Sequence, residues 1–350
     1  MTTARVPRLH GLDLARYLAF IGMVIVNFSV VMGAEDSPGF VGALVSSFQG
    51  RAAATFVVLA GVGLGLSINK GSFEGALLLT SKRALFLFIV GLINMLVFPA
   101  DILHYYAFYF FFGILLTRYS SGLLWCIILA LNIASLVLIM TLDFEQGWNF
   151  ATLDYLDFWQ PAGFVRNLFF NGWHPVIPWL GFFLFGLILS RMSLSNKTTQ
   201  VRLLLGGSLV FVVVELSSQQ LKQILADNEA LTILVATDAM PAMPLYTIAG
   251  MSMACIVISL CLMLGERLAA SQLLRRLSAP GKQTLTLYIA HILIGMGILD
   301  TMGMLAEQQT PTTALTSALL FSIACLIYAN LWQAKFSRGP LEGLMRKLTG

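Results

Sequence analysis

The chain is a succession of long apolar segments separated by short polar ones. About ten of these segments are long enough to cross a bilayer, which takes roughly 20 mostly apolar residues in a helix. The third and fourth are predicted to form a helical hairpin that turns at Pro99, Ala100 and Asp101. The pattern predicts an all-α, polytopic helical membrane protein with these spans: 13–33, 52–69, 84–99, 102–117, 122–142, 174–190, 202–218, 245–264, 283–303 and 312–332.

Composition supports the membrane class. Hydrophobic residues make up 58% of the chain and charged residues only 11%, whereas a soluble domain is about 25% charged. The net charge of +4 is small and does not indicate a nucleic-acid partner. No low-complexity linker divides the sequence, so we treat residues 1–350 as a single transmembrane domain with membrane lipids as its surroundings.

Lys and Arg residues predict the orientation, because they concentrate on the cytoplasmic side of membrane proteins. With the N-terminus in the cytoplasm, the outer segments hold only Arg51, Arg166 and Lys222 of the 21 Lys and Arg residues. This split predicts an even number of spans and both termini in the cytoplasm. The outer loop 143–173 mixes acidic and aromatic residues and is predicted to form a lid at the outer interface.

Ionisable residues inside a membrane are costly, so they are candidates for function. Asp101 and His104 lie three residues apart at the outer mouth of the fourth span. A carboxylate beside an imidazole fixes its tautomer and raises its basicity, as a general base requires. The alternative is a helix N-cap aspartate next to an interfacial histidine.

Two further histidines lie on apolar spans. His291 is near the middle of the ninth span and shares a helix face with Tyr288. It is either a catalytic or proton-relay group, or a buried, hydrogen-bonded structural one. His174 is at the outer start of the sixth span, where the following Pro175 favours a structural role.

Basic residues on the predicted cytoplasmic side form a candidate anion site. On the first span, Asp13, Arg16 and Asn27 share one face, since steps of three, four and seven residues are helical neighbours. Arg16 is either part of this site or half of an interfacial ion pair with Asp13. No P-loop or metal-ligand spacing occurs, and the glycines at 61, 63 and 65 predict close helix packing.

Several stretches resemble the bacterial YeiB-like integral membrane family, from the first helix to the last. They are Arg8–Arg16, Asp101–Ala107, His174–Phe182, Gly281–Tyr288 and Arg338–Glu342. That family is distantly similar to the heparan-alpha-glucosaminide N-acetyltransferases and other transmembrane acyltransferases. The resemblance implies a bacterial cytoplasmic (inner) membrane protein that moves an acyl group from acyl-CoA, with acetyl-CoA as the first expectation, to an envelope sugar or lipid at the outer face.

An acyl transfer of this kind leads to expected roles for the candidate residues. The phosphates of acyl-CoA are expected at Arg8, Arg16, Arg83 and Lys282, since arginine matches phosphate geometry. The base is expected to be His104 with Asp101, or else His291. Contacts with the acceptor substrate are expected from Asn27, His174 and Tyr288.

One departure from the resemblance concerns the base. The heparan acetyltransferases place a catalytic histidine about a dozen residues after the asparagine of the first helix, and no histidine follows Asn27 at that distance here. The alternatives are therefore a small-metabolite transporter that uses Asp101, His104 and His291 as a proton relay, and a non-catalytic membrane partner protein. Whether the chain forms a homo-oligomer stays open.

Overall fold

The structure is a computed structural model that describes residues 9–34, 39–68, 72–305 and 308–350. Arg8, predicted to bind phosphate, lies outside the described residues. Helices account for most of the described chain, with two short strands, β1 (Trp148–Asn149) and β2 (Asp154–Tyr155). The α-helices are α1 His10–Val31, α2 Phe40–Ser46, α3 Arg51–Ile68, α4 Phe73–Met95, α5 Leu103–Leu116, α6 Ser121–Thr141, α7 Pro161–Arg166, α8 Val176–Ser190, α9 Lys197–Ile224, α10 Glu229–Leu234, α11 Pro244–Arg267, α12 Gln272–Leu277, α13 Thr284–Ala290, α14 Gly297–Thr301, α15 Pro311–Gln333 and α16 Pro340–Thr349.

The predicted polytopic helical class is confirmed. Within the described residues, eight helices are long and apolar enough to cross a membrane. A bent pair, Pro161–Asn171 and Val176–Ser190, meets the same criteria together with a 50° bend, and α5 is a shorter apolar helix. Each segment predicted to span thus overlaps a helix, but two of them are covered only by the bent pair and by the short α5.

The hairpin of α4 and α5 shows where hydropathy misplaces a helix end. The predicted turn at 99–101 lies between the end of α4 at Met95 and the start of α5 at Leu103. However, α4 begins at Phe73, eleven residues before the predicted span, with Ser72 accepting a hydrogen bond from the Gly75 N–H as its cap. The apolar pattern breaks at Lys82 and Arg83, yet the helix continues through them.

Glycines allow α3 and α8 to pack at close range. A Cβ atom on Gly61 would lie 2.1 Å from the carbonyl oxygen of Phe183, and one on Gly186 would lie 2.1 Å from that of Val58. A Cβ on Gly65 would instead meet the side-chain hydroxyl of Ser190. The small-residue packing predicted for the glycine run is confirmed, and it brings the two backbones into contact.

The predicted outer lid is an ordered unit. Strands β1 and β2 pair antiparallel, and Arg166 binds Asp157 through two hydrogen bonds of 2.7 Å. Burial raises the pKa of the Tyr155 phenol, while its hydrogen bond from Arg166 acts in the opposite direction. Tyr155 therefore stays protonated and donates to Asn171 Oδ1 at 2.7 Å. The end of the predicted loop is helical, since α7 continues as a π-helical turn from Asn167 to Asn171.

Candidate functional site

Asp101 lies in the turn between α4 and α5, fully buried, and accepts hydrogen bonds on both carboxylate oxygens. Its Oδ1 accepts from Asn94 Nδ2 at 2.8 Å and from the Tyr288 hydroxyl at 3.3 Å. Its Oδ2 accepts from the Leu103 N–H at 2.7 Å, which caps the start of α5. This number of donors satisfies an ionised carboxylate in an apolar environment.

The same carboxylate orients His104. His104 Nδ1 lies 3.2 Å from Asp101 Oδ2, and an acceptor at that position places the proton on Nδ1. Nε2 then carries the lone pair, and no described residue hydrogen-bonds to it. The capping role and the orienting role predicted as alternatives for Asp101 are thus both present in one residue.

Two aromatic rings pack against the His104 imidazole. The Tyr105 ring lies with its centroid 3.8 Å from the imidazole centroid, and Phe158 of the lid approaches edge-on at 5.6 Å. A Cβ on Gly91 would lie 2.4 Å from the His104 backbone nitrogen. Glycine at this position therefore allows α4 to approach the first turn of α5, where the pair sits.

His291, the second candidate histidine, has hydrogen-bond partners of its own. Asn27 Nδ2 lies 3.0 Å from His291 Nε2, and His291 Nδ1 contacts the carbonyl oxygen of Tyr288. Both imidazole nitrogens thus have partners. His291 begins a π-helical turn that ends at Met296, a helix form often found at functional sites.

Tyr288 connects the two histidine clusters. Its hydroxyl donates to Asp101 Oδ1, accepts from the Ile102 N–H at 3.1 Å, and its ring centroid lies 4.9 Å from that of His291. The buried Asp101, His104, Tyr288 and His291 form one group with the partly buried Asn27. We call this group the polar network.

A cavity of about 400 Å³ leads from the predicted cytoplasmic side to this network. We call it the donor cavity, after the acyl donor that the sequence resemblance implies. Arg16, Arg83 and Lys282 line it near the mouth, and Leu103 and Tyr288 line its deep end. Apolar side chains form most of the wall between, among them Phe56, Leu59, Leu64, Leu79, Leu87 and Phe110. The structure thus brings together three of the four basic residues predicted from the sequence.

A second cavity, of about 850 Å³, opens on the opposite side. We call it the outer vestibule. Phe98, Ile292, Trp173 and Asp300 are among its lining residues, and the Phe98 ring centroid lies 6.5 Å from that of His291. The polar network therefore separates the donor cavity from the outer vestibule.

Two of the residues predicted to bind substrate or cofactor, His174 and Arg16, make contacts of the kind that stabilise the fold. His174 packs edge-on against Trp179, with 4.6 Å between ring centroids, and its carbonyl accepts from the Tyr109 hydroxyl. It lines neither cavity. Arg16 forms the ion pair with Asp13 that was weighed as the alternative, at 2.7 Å, and it also lines the donor cavity. The two roles are compatible because guanidinium has five N–H donors.

Sequence reasoning missed Asn94, Arg338, Glu342 and Arg346. Asn94 is an amide inside an apolar segment, so its polarity was an available signal. The other three belong to the C-terminal segment, which contributed to the predicted orientation and to the family resemblance but was given no role in a site. Their place beside the donor cavity depends on how that segment folds back.

Comparisons with known protein families agree with the resemblance seen in the motifs. Residues 8–226 match a family model described as heparan-alpha-glucosaminide N-acetyltransferase, catalytic. Residues 187–350 match a family described as protein of unknown function, DUF418. No curated protein matches the chain at a significant level. Asn27, Asp101 and His104 lie in the first match, and Tyr288 and His291 lie in the second.

Proposed function

The chain belongs to the family of the heparan-alpha-glucosaminide N-acetyltransferase catalytic domain and is a transmembrane acyltransferase, and we propose that it transfers an acyl group from acyl-CoA to an acceptor on the outer side. The predicted relationship to YeiB-like proteins and these acetyltransferases is confirmed. One observation carries the proposal: two cavities approach a single buried polar network from opposite sides.

The donor cavity suits acyl-CoA. Its basic mouth offers Arg16, Arg83 and Lys282 to the phosphates, and its apolar wall offers contact to the pantetheine arm and the acyl group. The thioester then lies at the deep end, near Tyr288. Acetyl-CoA is the donor we propose first.

His104 is the proposed base, with Asp101 as its orienting group. The acceptor O–H or N–H gives its proton to His104 Nε2 while the acceptor atom attacks the thioester carbonyl. The carbon–sulfur bond then breaks, and the CoA thiolate takes the proton back from the imidazolium. Since His104 is fully buried, the acceptor reaches Nε2 only when the Phe158 ring moves aside.

His291 is the second candidate for the base, and one observation favours it. Its neighbours Tyr288 and Ile292 line the donor cavity and the outer vestibule respectively, so it lies on the path between them. Its Nε2, however, already accepts a hydrogen bond from Asn27. Proton uptake at that atom requires Asn27 to turn away first.

The outer vestibule is the proposed acceptor site. Trp173 provides an aromatic surface and Asp300 a carboxylate, which suits a cell-envelope sugar or lipid that carries a hydroxyl or amine. We place the protein in the bacterial cytoplasmic membrane, with this vestibule facing outward.

The test uses the full chain purified into nanodiscs. Acetyl-CoA and CoA should raise its melting temperature, and acetyl-CoA with an envelope extract should release CoA thiol and label a sugar or lipid. Proton-coupled flux of a solute in proteoliposomes, without stabilisation by CoA, would instead support the transporter. Stabilisation by CoA without thiol release for any extract would refute the transferase reaction.

A further inference from the structure

A third cavity adjoins the mouth of the donor cavity. Its volume is about 400 Å³. We call it the outer chamber because it lies outside the mouth of the donor cavity, on the predicted cytoplasmic side and away from the outer vestibule. It shares four lining residues with the donor cavity, so the two are adjacent: Arg83, Lys282, Glu342 and Met345. Its remaining lining residues come from the C-terminal segment: Ser337, Arg338 and Arg346.

The outer chamber is built for an anion. Among the described residues that line it, four are cationic and Glu342 alone is acidic. That carboxylate already accepts hydrogen bonds from the N–H groups of Leu285 and Thr286, at 2.8 and 3.2 Å, and from the Thr286 hydroxyl at 2.6 Å. Four cations and one carboxylate give the chamber lining a net positive formal charge.

The same contacts hold the C-terminal segment in place. The Leu341 N–H donates to the Thr286 hydroxyl at 3.0 Å, and Trp332 Nε1 donates to the Arg338 carbonyl at 2.8 Å. A Cβ on Gly339 would lie 2.3 Å from Glu342 Oε2. Arg338 and Arg346 thus extend from a backbone that is docked against the start of α13.

We propose, resting on the proposed function, that Arg338 and Arg346 bind the 3′-phosphate of the CoA nucleotide. The order of groups along CoA supports this placement. With the thioester beside Tyr288 and the pantetheine arm in the donor cavity, the diphosphate reaches Arg83 and Lys282, which border both cavities. The 3′-phosphoadenosine then lies farthest out, beside the arginines of the C-terminal segment.

This site selects for the phosphorylated nucleotide. A phosphate monoester carries a charge of about −1.5 to −2 at neutral pH and accepts several charge-assisted hydrogen bonds. Arg338 and Arg346 lie outside residues 8–226, so this discrimination is a property of the part of the chain that the acetyltransferase model does not cover.

The experiment compares CoA with dephospho-CoA, which lacks only the 3′-phosphate. Affinities of the full chain in nanodiscs are measured by calorimetry for wild type, Arg338→Gln, Arg346→Gln and the double variant. Lys347→Gln is the matched control, because Lys347 is exposed on the same helix but does not line the chamber. Wild type should bind CoA more tightly, and each variant should lose about tenfold in CoA affinity with unchanged affinity for dephospho-CoA.

Dephospho-CoA affinity is the internal check that a variant is folded. Equal binding of both ligands by wild type would overturn the inference and leave the proposed function standing, as would a double variant that still prefers CoA. Binding of neither ligand by wild type would overturn the proposed donor itself. A loss of preference in Lys347→Gln as large as in the arginine variants would reduce the effect to general surface charge and reject the site.

Discussion

Asn27 Nδ2 lies 3.0 Å from His291 Nε2, although 264 residues separate the two in the sequence. The asparagine of the first helix therefore does contact a histidine, but that histidine lies in the π-helical turn after α13 and not in the segment that follows α1. This contact occupies the atom that would act as a base, whereas the corresponding atom of His104 has no hydrogen-bond partner in the described chain. The difference between the two imidazoles leads to the first prediction.

His104→Ala should reduce acyl transfer by about 10²–10⁴, the usual contribution of a general base. CoA affinity should stay close to that of wild type, because His104 does not line the donor cavity. Asp101→Asn should reduce transfer less, since the amide still contacts the ring. Thiol release from acetyl-CoA measures the rate.

The same assay on His291→Ala separates the two candidates. Full turnover by His104→Ala together with inactive His291→Ala would reverse the assignment. Full turnover by both would reject histidine base catalysis in this enzyme.

Arg16→Ala should weaken CoA binding by about tenfold through loss of a charge-assisted contact at the mouth of the donor cavity. Arg16→Lys should recover part of the affinity, because it keeps the charge but not the two-pronged geometry. Arg118→Ala is the matched control: its guanidinium packs over the Phe73 ring on the same side, away from the cavity. Unchanged CoA affinity in a folded Arg16→Ala protein would remove Arg16 from the site.

Gly91→Ala should destabilise the protein and impair transfer. The added Cβ would meet the His104 backbone nitrogen at 2.4 Å, so α4 and α5 must separate, at a cost of about 1–3 kcal/mol for such overpacking. Gly206→Ala on α9 is the control, because no described residue beyond its own stretch of helix lies within 4 Å of its added Cβ. Melting temperatures in nanodiscs measure the effect; equal values for both variants would argue against close packing at Gly91.

Tyr288→Phe should lower stability by about 1–3 kcal/mol, the cost of leaving buried polar groups unpaired. The Ile102 N–H loses its acceptor and Asp101 loses one donor. Transfer should also fall, because Asp101 is less firmly held against His104. A melting temperature equal to that of wild type would show that the hydroxyl contributes nothing to the network.

Orientation is tested by labelling with a membrane-impermeant thiol reagent in intact cells. Cysteines introduced at Asn149 and Asn228 should react from outside, and those at Ser72 and Ser195 should not. Cys126 is exposed in the fold and is first replaced by serine. Reaction at Ser195 from outside would invert the predicted topology.

The sequence by itself determined the membrane class, the helical segments and three basic residues at the mouth of the donor cavity. These follow from local properties, since bilayer length and charge placement act on each segment independently. It also placed Asp101 next to His104, because a residue three positions earlier at the start of a helix lies about one turn away.

Only the tertiary structure decided which residues from distant segments of the chain contact each other. The Asn27–His291 contact, the support of Asp101 by Asn94 and Tyr288, and the outer chamber depend on which helices pack together. In a membrane every apolar face is equally soluble in lipid, so hydropathy does not record which faces meet; close packing and buried hydrogen bonds select them. The docking of α16 through Glu342 is the clearest case, since this carboxylate lies outside the spans and gains a role only from the helix it contacts.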